Sequence, residues 1–352
     1  MNIDHVHFYV EDAPFWRDWF IQVLGFQSAS SQFSSQTDRH TQTEVVSSGA
    51  VSFWLSSALT AQSPVATYLQ CHPPGIVDVA FQVKDMATAI ARALDANATI
   101  IQSFDLAKAC QIVGWGKLRH TLVEVSSPIP VIEMPVIRGE TAITGIDHVV
   151  LNVAKGELEP AIAFYERVFG FQRQQSFAIR TDRSALCSQV LTHPDGAIKL
   201  PINEPATEGS QIQEFLDLNG GAGIQHLALR TEGIVEAIAH FRKQGLAFLR
   251  VPLSYYEQLR QRQGFQLTEA EWKAIASQEV LVDWQADQSP ALLLQAFTQP
   301  IFSQPTFFFE LIERRRYWAG ATEKVAQGFG EANFQALFEA IEREQIKRGS
   351  LN

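Results

Sequence analysis

The stretch IDHVHFYVEDAPFWRDWFIQVLGFQ at residues 3–27 recurs as IDHVVLNVAKGELEPAIAFYERVFGFQ at residues 146–172. Both copies begin with Ile-Asp-His-Val in a run rich in β-branched and aromatic residues, which predicts a strand. Both continue with apolar residues spaced three and four apart, such as Ile162, Tyr165 and Phe169, which predicts a helix. Both copies end in Gly-Phe-Gln. An internal repeat of this length indicates that the chain contains two homologous halves.

A second, fainter repeat lies inside each half. GIVDVAFQVKDMATAIARAL at residues 75–94 resembles GIQHLALRTEGIVEAIAHFR at residues 223–242, and each predicts a strand, a turn and a helix. Further β-like runs follow, such as SALCSQVLTH and AIKLPI on either side of the Asp195-Gly196 turn signal. We therefore predict an α+β fold in which a βαβββ module occurs four times and pairs into two half-open barrels.

The length and the repeats together predict two domains. A chain of 352 residues is too long for one ordinary core and suits two compact units. We place the first domain at residues 1–133 and expect it to be structural and without a metal. The segment MPVIRGETAIT at residues 134–144 carries Pro, Gly and charges, which is typical of a linker. The catalytic domain is then expected at residues 145–352.

Two features distinguish the second half from the first. Between residues 251 and 285 lies a helical insertion in which Thr268 and Glu271 have the spacing of a capping box. The sequence GFGEANFQALFEAIEREQIKR near the end of the chain predicts an amphipathic helix at about residues 328–348. A terminal helix on an open barrel is well placed to act as a lid.

Composition excludes several classes of function. The formal net charge of −10 argues against a nucleic-acid groove, which needs clustered Lys and Arg, so we interpret the three arginines at 314–316 as a solvated strand end. No apolar run approaches the roughly 20 residues needed to cross a bilayer. The N-terminus lacks the features of a signal peptide. An odd number of cysteines predicts reduced thiols in a cytoplasmic protein: Cys71, Cys110 and Cys187.

Three residues of the second half have the pattern of metal ligands. His148 and His226 both occur early in the first strand of their modules, so pseudo-symmetric pairing of the modules brings them to one concave face. Glu310 lies in the otherwise apolar strand TFFFELIERR, where a buried carboxylate needs a compensating cation. An ion pair with one of the arginines that follow is the alternative explanation for Glu310.

Two histidines and one carboxylate, with no cysteine, are the facial triad of non-haem Fe(II) enzymes. Three protein ligands leave three adjacent positions open, which is enough for a bidentate 2-oxo acid and dioxygen. We therefore expect one Fe(II) per subunit at these three residues. Zinc is the alternative metal for such a set, although no HExxH motif accompanies it.

The first half provides an internal comparison. His5, Asp78 and Glu124 correspond in that order to the three expected ligands, with Glu124 as the nearest analogue of the carboxylate in HTLVEVSS. Asp4 and His7 crowd this set, and the flanking strands are more polar. We therefore interpret it as a vestigial site that is kept for barrel structure.

The second half resembles the 4-hydroxyphenylpyruvate dioxygenases, members of the vicinal oxygen chelate superfamily. The matching segments are GIDHVVLNV, RSALCSQVLTHPDGAIKLPINEP, QIQEFLDLNGGAGIQHLALRT, LLLQAFTQPIFSQPTFFFELIERR and GFGEANFQALFEAIEREQ. Their order and spacing cover nearly all of residues 146–345, whereas the first half resembles the family only in outline. One departure is Ala332, which stands where the family usually has a glycine.

The resemblance implies an enzyme that converts 4-hydroxyphenylpyruvate and dioxygen to homogentisate and CO2, with iron on the three ligands named above. Homogentisate would then serve either tyrosine breakdown or quinone and tocopherol synthesis. The polar pocket residues of the family correspond to Ser188, Asn203, Gln211, Gln225 and Gln295. Its pocket aromatics correspond to Phe297, Phe308, Phe329 and Phe334. A homodimer or homotetramer is a further implication of the resemblance.

Three other functions compete with this one. A hydroxymandelate synthase shares the fold, the ligands and the substrate but hydroxylates the benzylic carbon. A metal-free protein of the same fold would bind an aromatic ligand without turnover. An extradiol ring-cleaving enzyme uses the same triad on catechols, but it would normally lack the QIQ and GFG…NF signatures. Product identity and metal content separate these alternatives.

Overall fold

The first half contains two βαβββ modules in the computed structural model, which describes residues 1–29, 39–104, 108–125, 143–196, 198–284 and 291–351. The first module consists of β1 (Asn2–Tyr9), α1 (Ala13–Leu24), β2 (Gln27–Ser28), β3 (Thr41–Ser48) and β4 (Val51–Ala58). A short helix, α2 (Pro64–Leu69), leads to the second module, which consists of β5 (Gly75–Val83), α3 (Met86–Asp95), β6 (Ile100–Phe104), β7 (Ala109–Val113), a 3₁₀ turn (Trp115–Lys117) and β8 (Arg119–Glu124).

The second half repeats this order with additions. Its first module consists of β9 (Ile143–Asn152), α4 (Leu158–Phe169), β10 (Gln172–Arg180), β11 (Ala185–Thr192) and β12 (Lys199–Pro205), followed by α5 (Gln211–Asn219). Its second module consists of β13 (Gly223–Thr231), α6 (Ile234–Lys243), the inserted α7 (Leu253–Gln261) and α8 (Glu269–Ser277), and then β14 (Leu281–Asp283), β15 (Leu293–Phe297) and β16 (Phe308–Arg314). The chain closes with β17 (Arg316–Ala319), β18 (Thr322–Val325) and α9 (Glu331–Arg348).

Eight of the described strands form one curled sheet in each half. The strand order is β2-β3-β4-β1-β5-β8-β7-β6 in the first and β10-β11-β12-β9-β13-β16-β15-β14 in the second. The opening strands of the two modules pair antiparallel at the centre, and each also pairs in parallel with the last strand of its own module. The predicted α+β fold of four paired modules is confirmed. This order places β9, β13 and β16 side by side.

Local sequence explains where the repeated helices end. Helices α1 and α4 stop at Gly25 and Gly170, whose φ angles of 70° and 75° lie in the left-handed region that favours glycine. The Gly-Phe-Gln end of both repeats therefore marks a helix C-cap followed by a new strand. In the insertion, Thr268 and Glu271 form the predicted capping box at the start of α8.

Both halves contribute to one aromatic core. Phe53 of β4 stacks on Phe309 of β16 with ring centroids 6.0 Å apart, and Phe8 of β1 meets Phe307 edge to face at 5.4 Å. Side chains alternate along a strand, so the odd-numbered positions of β16 face the first half. The opposite face of β16, which carries Phe308 and Glu310, is thereby turned toward the concave side of its own sheet.

The two ends of the second half are fixed differently. The predicted linker at residues 134–144 lies outside the described residues except for Ile143 and Thr144, which begin β9. Helix α9, hereafter the lid helix, carries the buried Glu342, which accepts hydrogen bonds from the hydroxyls of Thr181 (2.6 Å) and Ser184. These contacts dock the lid helix on the turn between β10 and β11. Within the described residues, no helix is long and apolar enough to span a membrane.

Candidate metal centre and substrate pocket

Three adjacent strands bring His148, His226 and Glu310 together. Ala228 of β13 lies opposite His148 of β9 on one side and beside Glu310 of β16 on the other, while His226 lies two residues earlier on the same strand. The Nε2 atoms of His148 and His226 lie 3.2 Å and 3.6 Å from Oε2 of Glu310. One potential ligand atom from each residue falls within 4.8 Å of the others. The side chain that lies between His148 and Glu310 in this register is only the methyl group of Ala228.

All three candidate ligands are buried, with 2–3% of each residue exposed. Burial alone would raise the pKa of Glu310, but attraction and hydrogen bonding from His148 and His226 lower it to about 2. Burial lowers the pKa of His226. Burial also opposes protonation of His148, yet the nearby carboxylates raise its pKa overall. The ionised carboxylate thus creates a negative field at a point enclosed by protein.

No lysine or arginine among the described residues forms an ion pair with Glu310, whose ion-pair partners there are the imidazoles of His148 and His226. Arg314 pairs instead with the buried Asp147, through Nε to Oδ2 at 2.7 Å and Nη2 to Oδ1 at 2.8 Å. Burial would raise the pKa of Asp147, but hydrogen bonds from Arg314 and His148 hold it well below its usual value. The ion-pair explanation of Glu310 is therefore wrong.

The interpretation of the arginines at 314–316 as a solvated strand end is also wrong for Arg314. Its side chain is only 7% exposed, because the carboxylate of Asp147 compensates the burial of the guanidinium. Arg316 does lie at the surface, where it pairs with the exposed Glu323. The three residues thus differ in environment although they are consecutive in sequence.

The donor set fits a divalent metal ion. Two imidazole nitrogens and one carboxylate oxygen, with no thiolate, match the facial arrangement used by non-haem iron enzymes. A buried carboxylate without a cationic side chain is costly unless a cation compensates it. The geometry and the charge of the group therefore agree with a metal centre.

The equivalent positions of the first half lack the third ligand. Asp78 pairs with Arg119 in the parallel β5–β8 ladder just as His226 pairs with Phe308, which places Thr121, not Glu124, at the position of the second-half carboxylate. The predicted analogy of Glu124 is wrong. Glu124 instead accepts from the backbone N–H of Met86 at the start of α3.

The remaining first-half side chains already have partners. His5 stacks on Trp54 with ring centroids 4.0 Å apart, and Asp78 accepts hydrogen bonds from Gln111 and Thr121. These contacts occupy the groups that correspond to ligands in the second half. The expectation that the first domain binds no metal stays a prediction.

A polar row crosses the concave face of the second sheet. It consists of Ser188 on β11, Asn203 on β12 and Asn152 on β9, which are paired across adjacent strands. Asn203 donates to Asn152 at 3.2 Å, but Ser188 Oγ, Asn203 Oδ1 and Asn152 Nδ2 are buried without a hydrogen-bond partner. Oε1 of the buried Gln211, at the start of α5, is likewise unpartnered. Unsatisfied buried groups gathered in this way are typical of a ligand site.

Of the other two predicted glutamines, Gln295 contacts a candidate ligand. Nε2 of Gln295 donates to Oε1 of Glu310 at 2.8 Å and to the carbonyl of Phe329 at 3.3 Å, so it orients the carboxylate. Gln225 is buried in β13 directly before His226. Gln295 is therefore in contact with Glu310, whereas Gln225 is adjacent to His226 in the chain.

Three of the four predicted phenylalanines contact the imidazoles. Phe308 stacks on His226 at 4.7 Å between centroids, Phe297 meets the same ring edge to face at 6.5 Å, and Phe329 packs on His148 at 5.5 Å. Phe334 of the lid helix packs edge to face on Phe177 of β10 at 5.1 Å. Phe297, Phe308 and Phe329 therefore surround the two histidines, and Phe334 lies on the lid helix.

Sequence reasoning missed several polar residues of this site. Asn152 carried a usable signal, since it lies four residues after His148 on the same strand face. Asn333 of the lid helix is fully buried and donates to Oε1 of Gln295 at 2.7 Å. Lys199 lies over the ring of Phe329 at 5.5 Å, and burial lowers its pKa to about 8. The partners of these last two residues are distant in sequence.

Fold and site together define a member of the superfamily described as glyoxalase/bleomycin resistance protein/dioxygenase. Profiles with that description match residues 145–266 and residues 4–113. The chain is 34% identical to 4-hydroxyphenylpyruvate dioxygenase of Yarrowia lipolytica, with 99% of this chain and 93% of that protein covered. The chain belongs to the 4-hydroxyphenylpyruvate dioxygenase family.

Two further similarities frame the question of activity. An uncharacterised protein of Synechocystis is 34% identical, with 97% of each chain covered. The solved structure of a triple mutant of 4-hydroxymandelate synthase from Streptomyces coelicolor superposes with a TM-score of 0.83 at 28% identity, with 98% of each chain covered. The chain is thus similar to proteins that are named for two different reactions.

Proposed function

We propose that this chain is an Fe(II)-dependent dioxygenase that converts 4-hydroxyphenylpyruvate and O2 to homogentisate and CO2. The proposal is based on the buried group of His148, His226 and Glu310. It is supported by the membership of the chain in a family that is named for this reaction. Held by these ligands, one ferrous ion would supply chelation of a 2-oxo acid and activation of dioxygen, chemistry that side chains lack.

The polar row supports binding of the phenol end of the substrate. Asn152 lies four residues beyond His148 on β9, which corresponds to about 13 Å along a strand. A separation of this length would accommodate one aromatic ring with its oxo-acid tail. Ser188 and Asn203 would hydrogen-bond the phenol hydroxyl, and Gln211 would complete that end of the pocket.

The aromatic side chains would hold the ring and exclude water. Phe308 and Phe297 pack around His226, and Phe329 covers His148 where the chain enters the lid helix. A stacked ring lies in a fixed orientation relative to the metal, and a dry pocket strengthens each hydrogen bond in it. Gln295 would keep Glu310 in place while substrate enters and product leaves.

The second candidate reaction is the synthesis of 4-hydroxymandelate from the same substrate. It is favoured by the superposition on a hydroxymandelate synthase along almost the whole chain. The two reactions use the same ligands and differ in which carbon is hydroxylated. The metal-free binding protein is less well supported, because it gives no role to a buried carboxylate that converges with two imidazoles in the pattern of metal ligands.

Product analysis tests the proposal. Metal-free protein would be loaded with Fe(II) under argon, and oxygen uptake and chromatography would follow addition of 4-hydroxyphenylpyruvate. We expect one O2 consumed for each homogentisate formed. Accumulation of 4-hydroxymandelate would keep the site and replace the reaction, whereas oxygen uptake no faster than with boiled enzyme would refute both.

We also propose that the protein is cytoplasmic and forms a homodimer or homotetramer. Cys71, Cys110 and Cys187 are all free thiols, as a reducing compartment requires. Cell fractionation and sedimentation velocity test these two statements. Recovery of the protein outside the cytoplasm, or sedimentation as a single 39.3 kDa species at micromolar concentration, would contradict them.

A further inference from the structure

A buried ion pair lies directly behind one of the candidate ligands. Asp147, which precedes His148, is 2% exposed, and its two carboxylate oxygens accept the bidentate hydrogen bonds of Arg314. Oδ1 of Asp147 also accepts from Nδ1 of His148 at 3.0 Å. The opposite ring nitrogen, Nε2, is then the one that faces Glu310.

Arg314 connects this pair to the segment that leads into the lid helix. Its remaining terminal nitrogen, Nη1, donates to the carbonyls of Ala326 at 3.1 Å and Gly328 at 2.9 Å. The next residue is Phe329, whose ring packs on His148. The guanidinium is therefore hydrogen-bonded on both sides, to the carboxylate behind His148 and to the backbone that positions the aromatic ring in front of it.

The two candidate histidine ligands differ in this respect. Nδ1 of His226 is buried without a hydrogen-bond partner, whereas Nδ1 of His148 has the carboxylate of Asp147. A carboxylate on the far nitrogen of a ligating imidazole fixes the tautomer and the ring orientation and makes the near nitrogen a better ligand. Of the two histidines, only His148 has a carboxylate on its far ring nitrogen.

We propose that Asp147 and Arg314 are positioning residues that fix His148 for metal binding and tie it to residues 326–328. This inference rests on the proposed metal-dependent function. It predicts that metal affinity depends on a pair that touches neither metal nor substrate. An ion pair that serves folding alone would affect the stability of the metal-free protein and leave metal affinity unchanged.

The first repeat offers a matched control. Asp4 precedes His5 as Asp147 precedes His148, and Oδ2 of Asp4 accepts from Nδ1 of His5 at 2.8 Å. His5 stacks on Trp54 and is not one of the three candidate ligands. The variant Asp4→Asn therefore makes the same chemical change at the equivalent place in the repeat, away from the metal centre.

The experiment compares the full-length wild type, Asp147→Asn, Asp147→Asn/Arg314→Gln and Asp4→Asn. The double variant removes both partners of the bidentate pair together, so that the guanidinium is not left buried without its carboxylate. Lys199 and Arg230, which lie 3.8 Å and 3.6 Å from Asp147, lose that partner equally in both Asp147 variants. Co(II) affinity would be measured by the absorption of the bound ion, and thermal unfolding would be followed without metal. We expect the Co(II) dissociation constant to rise 10- to 100-fold in both Asp147 variants and to change less than twofold in Asp4→Asn.

A measurement on the wild type makes the test independent of variants that fail to fold. In Zn(II)-loaded protein with ¹⁵N-labelled histidine, one metal-bound ring should show a downfield, slowly exchanging Nδ1 proton. Absence of that proton would overturn the inference, as would Co(II) affinity within twofold of wild type in a folded double variant. Wild-type protein that binds no Co(II) at all would instead refute the proposed function.

Discussion

Replacing Asn333 by alanine should loosen the lid helix without unfolding the protein. Asn333 is fully buried, and its amide donates to Oε1 of Gln295 at 2.7 Å while its carbonyl oxygen accepts from the hydroxyl of Tyr255 at 3.0 Å. Gln295 in turn holds Glu310. The side chain of Asn333 therefore joins the lid helix to the candidate metal centre.

The magnitude follows from the groups left unsatisfied. After Asn333→Ala, Oε1 of Gln295 loses this donor in a buried place, which costs about 1–3 kcal/mol. Tyr255 keeps its hydrogen bonds to the backbone of Val282, so its hydroxyl adds little to the loss. A tenfold change corresponds to about 1.4 kcal/mol, so the equilibrium for local opening of the lid helix should rise roughly 5- to 150-fold.

Native-state hydrogen exchange provides the assay. Amides of the lid helix should lose protection by that factor in Asn333→Ala, while amides of β9 and β13 change less than twofold. The control is Glu339→Ala, since Glu339 is exposed on the same helix. Equal exchange in the two variants would refute the reasoning. So would a uniform loss of protection across both sheets, because that pattern reports global unfolding.

Three other perturbations test separate parts of the account. Asn203→Ala should lower kcat/KM for 4-hydroxyphenylpyruvate about 5- to 150-fold. Oxygen uptake with phenylpyruvate, which has no phenol hydroxyl, should stay nearly unchanged. Equal losses with both substrates would show that Asn203 does not bind the phenol hydroxyl. In Gly330→Ala, the added Cβ would collide with Oε1 of Gln295, and the φ angle of 69° favours glycine at this position. Turnover should therefore fall at least several-fold, while the melting temperature stays within a few degrees of wild type. Full turnover would contradict this prediction. The ring of His120 hydrogen-bonds to Tyr165 across the two halves, and burial lowers the pKa of His120. The unfolded chain therefore binds a proton at this histidine at a higher pH than the folded chain does. The free energy of unfolding should fall as the pH drops below about 6.5. His120→Gln should therefore lose less thermal stability than wild type between pH 7 and pH 5, and an identical loss would count against this account.

The sequence predicts much of the fold because its signals are local and repeated. Ile-Asp-His-Val with an amphipathic helix and a Gly-Phe-Gln end defines a module, and four such modules leave few ways to pair. The same symmetry predicts that His148 and His226 meet. Glu310 stands out because a carboxylate is rare among the phenylalanines of a buried strand.

Features that depend on partners distant in sequence could not be predicted in this way. Arg314 looked solvated because its partner, Asp147, lies 167 residues earlier in the chain. Glu124 looked like the analogue of Glu310 because it is the nearest carboxylate, whereas the strand register assigns that position to Thr121. Each error concerns a pairing that only the folded sheet defines.

Titration of metal-free protein with Fe(II) under argon tests the central claim most directly. Wild type and Glu310→Gln would be compared by calorimetry, since glutamine keeps the shape of the side chain and removes its charge. We expect one Fe(II) per chain for wild type and affinity at least 100-fold weaker for Glu310→Gln, while the metal-free variant melts at a temperature no lower than that of metal-free wild type. Binding of one Fe(II) to Glu310→Gln with wild-type affinity would contradict the account.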